Sequence, residues 1–306
     1  MLNYKIIRKK IGDILADLVL PAPTQEEQIR ISDLRSGIHA LQPLTETSSI
    51  ISEQEWNRNR IKLRKNILQR DPRNFLRWPV VLFTMFHESK PEELAYLQSL
   101  SVWPHYESAL VETPIGHPKP YPALPASSGN LVHQTYSLAL LSETFSVPIA
   151  AYKSIFEFGG GYGSLARLVY RLGFSGHYTI FDLPEFSLLQ KYYLSSSPDL
   201  TLSFDASDRP DTISSVTSIA EIKKNPIDLF IALWSLSESP LELRTQLLSA
   251  IPEPAYFLIA YQEDFNNIDN TAYFKTFVAE RPQYTWTGFP IKHLSGHRYL
   301  LGKKNG

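Results

Sequence analysis

The nine residues Phe156-Glu157-Phe158-Gly159-Gly160-Gly161-Tyr162-Gly163-Ser164 decide how the rest of the chain is read. Ser154 to Phe158 reads as a strand running into a glycine turn, and Leu165 to Leu172 as the helix that leaves it. A strand, a glycine turn and a helix N-terminus gather several backbone N–H groups at one point, where they can face a ligand. Glycine permits positive φ there and lets a ligand touch the backbone without a Cβ in the way. The spacing is E-x-G-x-G-x-G, with Glu157 two residues before Gly159. An acid at that place can anchor a cationic group. A dinucleotide turn, G-x-G-x-x-G, needs glycine at position 164, where serine stands. A phosphate-cradling loop ends in Gly-Lys-Ser/Thr, and no such ending follows.

Downstream, Tyr178 to Phe181 reads as a second strand ending at Asp182, whose carboxylate can accept hydrogen bonds from both hydroxyls of a ribose. Leu183 follows, and Pro184 starts the next helix, where a missing N–H does no harm. Leu200 to Phe204 is expected as a short third strand. Asp205 after it is a candidate for an adenine amino group, or equally a turn-forming aspartate. Asp228 to Leu233 and Ala255 to Tyr261 complete the series. Strands alternating with helices at this spacing predict an α/β fold with a parallel, doubly wound sheet. Tyr284 to Phe289 and His297 to Gly302 read instead as two strands joined by a turn.

Upstream, the pattern is helical and punctuated by proline. Ile11, Ile14, Leu15 and Leu18 have amphipathic-helix spacing, and Thr24 with Glu26 and Glu27 looks like a capped helix start. Ser52 and Glu55 resemble a capping box, and the segment after it carries Arg58, Arg60, Lys62, Arg64, Lys65 and Arg70, read as a solvated face or a patch for an anionic partner. In Phe75 to Phe86, Pro79 rules out one straight helix. Prolines crowd between Val111 and Asn130, so the chain divides into a helical region, 1–130, for acceptor recognition or homo-oligomer contacts, and a ligand-binding domain, 131–306.

The charges balance, with 30 basic against 31 acidic residues and a net charge of −1, so no overall field attracts nucleic acid. The absence of cysteine excludes disulfides, thiolate metal sites and cysteine nucleophiles. Asp13 and Asp17 interrupt the first apolar stretch, against a secretory signal. No apolar run approaches the ~18 residues of a membrane span, and a cytoplasmic protein is expected. No His/Asp/Glu cluster has metal-ligand spacing, so no metal is expected.

The glycine motif resembles that of class I S-adenosylmethionine-dependent methyltransferases. The stretch Phe156–Leu194, with Ala232-Leu-Trp-Ser-Leu-Ser-Glu238 and more loosely Asp71–Trp78, is similar to bacterial sugar O-methyltransferases found with surface-polysaccharide genes. The close match spans about a fifth of the chain. The resemblance implies a Rossmann-like sheet of seven strands with the last antiparallel. It also implies S-adenosylmethionine held by Glu157, Gly159, Gly160, Gly161, Gly163, Asp182 and Leu183, and a sugar hydroxyl as acceptor, in a nucleotide-sugar or at a glycan end.

A sugar hydroxyl is a poor nucleophile at neutral pH and gains from a general base. Three candidates are Glu238 after the fourth strand, Asp264 after the fifth, and His133 upstream of the glycine turn, each with a plain capping, solvated or structural alternative. Trp103, His105, Tyr106, His117, Tyr121 and Tyr136 could face a sugar ring or fill the core. Other readings are methylation of a small natural product or amine, and a catalytically silent partner of a polysaccharide assembly complex. Ser164 disfavours an NAD-dependent oxidoreductase. Trp234-Ser-Leu-Ser stands where many nucleic-acid methyltransferases carry Asn/Asp-Pro-Pro-Tyr/Phe.

Overall fold

Thr24 starts the first helix, α1 (Gln25–Ala40), through a reciprocal cap: its hydroxyl accepts from the Glu27 N–H and the Glu27 carboxylate accepts from its own N–H. This computed structural model describes residues 20–48, 50–200, 202–204 and 209–306. The helix expected at Ile11–Leu18 and the candidate Asp205 lie outside those residues. Helix α2 (Ile51–Gln69) has Ile50 rather than Ser52 at its N-cap, and Ser52 is buried. The cap position shifts because Ser48 accepts from the Ile50 N–H and donates to Glu53, ordering the entry itself. A 3-10 turn (Pro72–Arg77) precedes α3 (Pro79–Thr84), so Pro79 breaks the aromatic stretch as expected and begins a new helix. Then come α4 (Pro91–Ser99), α5 (Trp103–Ala109), a hairpin of β1 (Pro120–Tyr121) and β2 (Leu124–Ser128), and α6 (Gly129–Phe145). Ser128 caps α6 by accepting from the Leu131 N–H, so position 130 falls in the first turn of a continuous helix.

The second half alternates: β3 (Ser154–Phe158), α7 (Ser164–Arg171), β4 (His177–Phe181), α8 (Pro184–Ser196), β5 (Ser203–Phe204), β6 (Thr212–Val216) and β7 (Leu229–Leu233). It continues with α9 (Ser235–Glu238), α10 (Leu241–Ala250), β8 (Tyr256–Gln262), a small hairpin of β9 (Asp264–Phe265) and β10 (Ile268–Asp269), α11 (Asn270–Ala279), β11 (Tyr284–Pro290) and β12 (His297–Lys304). The main sheet has the order β11-β12-β8-β7-β3-β4-β6-β5. Strands β6, β4, β3, β7 and β8 are parallel, in the spatial order 3-2-1-4-5 of a doubly wound, Rossmann-like sheet. The last strand, β12, is antiparallel to both neighbours, as expected.

Eight strands stand where seven were expected, and the third strand is misplaced. Ser203–Phe204 is only a two-residue edge, and the strand beside β4 is Thr212–Val216. Its residues Thr212-Ile-Ser-Ser-Val216 carry few apolar side chains, although Thr212 and Ser214 are buried; burial there comes from the tertiary setting, which periodicity does not report.

Successive strand residues point to opposite faces. Ile155, Ile231 and Leu258 pack with Leu63, Ile67 and Trp78 of the N-terminal helices, while Phe156, Phe230 and Ile259 pack with Leu247, Phe274 and Phe277. Covering both faces explains the near-continuous apolar runs of the central strands. Among the described residues, no helix is long and apolar enough to cross a membrane.

Candidate functional site

In a doubly wound sheet, the crevice at the carboxyl ends of the strands, where the strand order reverses, is the natural place for a ligand. Here the reversal lies between β3 and its neighbours β4 and β7. A cavity of about 540 Å³ opens there, lined by Glu157, Gly159, Gly160, Gly161, Asp182 and Leu183 among others. Gly159 and Gly161 have φ of +77° and +58°, which a side chain would strain. A Cβ on Gly160 would lie 2.6 Å from Ile180 Cγ2 and 3.0 Å from Glu157 Oε2. Gly163 does not line the cavity; at φ +94° it turns the chain into α7, and its N–H donates to the Gly160 carbonyl. Ser164 lines the cavity and accepts from Asn130 of α6, whose carbonyl oxygen in turn accepts from the His87 N–H.

Glu157 is buried on β3, with the Tyr178 hydroxyl donating to Oε2 at 2.9 Å. Burial pushes its carboxyl up to about 8; the tyrosine bond opposes this and the Asp182 charge adds to it. Asp182 Oδ2 accepts from the Gly161 N–H at 3.1 Å and the Gln190 amide at 2.8 Å, and Oδ1 from the Leu183 N–H at 2.7 Å. Burial still pushes it up to about 7 against those bonds. Two carboxyls held this high favour a cationic ligand, which would stabilise their ionised forms.

The three candidate bases separate. Glu238 ends α9 and lines the cavity; burial, then the Glu55 charge, pushes it up to about 7. Asp264 is exposed on β9 and does not line the cavity, because the β8 strand ends before it and turns outward into the small hairpin. His133, almost fully buried on α6, lines the cavity. Its Nδ1–H donates to Glu93 Oε1 at 2.6 Å, and Glu93 is completely buried on α4. The same carboxylate accepts from His293 Nε2 at 2.7 Å and from Ser89 Oγ at 2.7 Å. Burial alone would raise Glu93, but the bonds and charge of His133, with Ser89 and His293, hold it down to about 2. An ionised carboxylate only accepts, so Nδ1 of His133 carries a proton, and Nε2 has a free lone pair whenever the ring is in its neutral form.

That Nε2 is enclosed and has no partner. The His87 ring lies 4.0 Å from the His133 ring, centroid to centroid, and stacks on Trp234 at 5.4 Å and 10°. Burial, then the His133 charge, pushes His87 down to about 3. Trp234 holds φ +67° at the end of β7, an unusual conformation for a bulky residue, and its Nε1–H donates to His297 Nδ1 at 2.7 Å.

The N-terminal helices supply a wall. Trp56, Asn57 and Arg60 of α2 line the cavity. Arg60 and Arg64 both donate to Glu185, which is fully buried in the first turn of α8 three residues after Asp182. Arg58, Lys62 and Lys65 are exposed, so the basic segment is solvated on one side and paired on the other. None of Trp103, His105, Tyr106, His117, Tyr121 and Tyr136 lines this cavity. Glu93, His87 and Trp56 were not singled out from sequence: Glu93 follows Pro91 and Glu92 in a helix first turn, where acids are favoured by the helix dipole alone. Among the described residues, no group of three or more His, Asp or Glu could hold a metal ion.

No protein-family model matches the chain, and no curated protein matches it. Among solved structures, 56% of the chain is similar to 80% of the magnesium protoporphyrin IX methyltransferase of Synechocystis PCC 6803 with bound SAM, at 12% identity and a TM-score of 0.40. A similar share, 57%, matches 95% of an N-methyltransferase of Bradyrhizobium japonicum WM9 at 11% identity and a TM-score of 0.41. The 16S rRNA methylase ArmA matches over 56% of this chain and 86% of its own, at 13% identity and a TM-score of 0.35. At such identities and TM-scores, the chemistry has to be argued from the site's own residues.

Proposed function

We propose that this chain is an S-adenosylmethionine-dependent O-methyltransferase that acts on a sugar hydroxyl. The observation that carries this reading is the placement of buried Glu157 and half-buried Asp182, two carboxyls of raised pKa, on either side of the glycine turn. The residues fit the cofactor. Glu157 would face its ammonium group, Asp182 its ribose hydroxyls, and the turn at Gly159 to Gly161 leaves backbone in contact range where side chains find no room. When bound, the cofactor supplies an electrophilic methyl group on a sulfonium.

His133 acts as the general base, taking the acceptor proton at Nε2. Glu93 fixes the tautomer and stabilises the imidazolium that forms, the logic of an acid–histidine pair. The rings of His87 and Trp234 pack beside that nitrogen and keep water from it. Glu238, which also lines the cavity, remains a second candidate base. The N-terminal helices close the cavity through Trp56, Asn57 and Arg60, which supports an acceptor-recognition role for the region before residue 131.

The test is calorimetry with S-adenosylmethionine on the wild type and Asp182→Ala, followed by methyl transfer to sugars. Micromolar binding that is lost in the variant supports the reading. No binding to the wild type withdraws it.

A further inference from the structure

We infer that the acceptor is an uncharged polyhydroxyl compound, a sugar unit bearing no phosphate, held at the wall formed by His87, His133, Gln134 and Trp234. This rests on the methyl-transfer reading above and narrows its acceptor.

Three polar atoms on that wall are buried without a partner: His87 Nε2, His133 Nε2 and Gln134 Oε1. Each belongs to a residue that lines the cavity. Native structures rarely leave such atoms unpaired, so a bound group is the natural partner. Gln134 Oε1 can only accept, and the ring nitrogen of His133 opposite its bond to Glu93 accepts when it serves as the base proposed above. Both therefore need a donor. A hydroxyl donates; an ionised phosphate oxygen does not.

The charge of the cavity agrees. Glu53, Glu157, Asp182 and Glu238 line it, while Arg60 is the one lysine or arginine among the described lining residues. Arg60 Nε donates to Glu185 at 2.7 Å and Nη1 to Asn57 Oδ1 at 3.3 Å, so its guanidinium is held in the wall. The His87 and His297 imidazoles add little positive charge at neutral pH, since burial lowers both. A diphosphate would meet four carboxyl groups and one arginine already bound to Glu185, whereas the flat Trp234 indole offers the C–H face of a sugar a surface.

The test uses the full chain, saturating S-adenosylmethionine and release of S-adenosylhomocysteine as readout. The acceptors are methyl α- and β-hexosides, the matching uridine diphosphate hexoses, hexose 6-phosphates and hexosamines. The expected result is turnover with at least one methyl hexoside, at a kcat/KM about tenfold or more above its phosphorylated counterparts. Gln134→Leu should raise the hexoside KM about tenfold with unchanged cofactor affinity, and Gln134→Glu, which keeps an accepting oxygen, should restore it. Preference for phosphorylated or amino acceptors overturns the inference, as does silence across the panel by a protein that still binds cofactor. Failure to bind cofactor overturns the methyl-transfer reading instead.

Discussion

Glu93 Oε1 and His133 Nδ1 lie 2.6 Å apart, joining helices α4 and α6 from residues forty positions apart in the chain. A buried carboxylate persists only when its lone pairs are occupied, and Ser89 and His293 occupy the remainder. Glu93→Gln and His133→Asn should each lower the methyl-transfer rate by roughly 10²–10⁴-fold, the range of a lost general base. Cofactor affinity should stay within about threefold. Single-turnover rates with calorimetry on the same samples check this; unchanged rates in both variants would move the base to Glu238.

Cofactor binding should release protons. Glu157, raised to about 8, and Asp182, raised to about 7, are largely protonated just above pH 6 without ligand. A cation favours their ionised forms, so affinity should rise with pH through those values. The rise should end near pH ~8, where the ligand's own α-amino group loses its proton. Calorimetry in buffers of different ionisation enthalpy measures the protons released, and Glu157→Gln should remove part of that number.

Glu185 holds the N-terminal helices against the cofactor-side helix through Arg60 and Arg64. Glu185→Ala leaves two guanidinium groups facing a buried gap and should destabilise the fold by about 3–5 kcal/mol, the usual result of breaking a buried ion pair from one side. Denaturant unfolding measures this. A loss below about 1 kcal/mol would class the cluster with surface pairs.

Acid should destabilise the protein in two steps. His87 has a folded value of about 3 against an ordinary 6.5, so the unfolded chain binds more protons between them and stability falls as pH drops through that window. Glu93 has the depressed value of about 2 against 4.5; its contribution is complete above 4.5 and is lost as pH falls towards 2. His87→Leu should flatten the first step and spare the second, as read from urea midpoints across pH.

Much of the fold was legible because it is local. The strand at Ser154–Phe158, the glycine turn, Pro184 at a helix start and the Thr24 cap rest on near neighbours, and all appear as expected. Glu157, Gly159, Gly160, Gly161, Asp182 and Leu183 converge on one cavity, since each lies at the end of a strand or in the turn after it and β3 and β4 are parallel neighbours.

What sequence could not determine depends on distant segments meeting. Thr212–Val216 becomes the third strand because β4 offers it a partner edge, although its own residues are largely polar. Asp264 and His133 looked alike as candidates; packing of α4 against α6 gave His133 a buried carboxylate, while the turn after β8 left Asp264 in solvent. The chain by itself determined the alternation of strands and helices, the turn and the pair of acids, because short-range sterics and periodicity specify them. Only the tertiary structure decided which histidine gained a partner and which arginines lost their solvent, because burial and electrostatic coupling depend on distance in space.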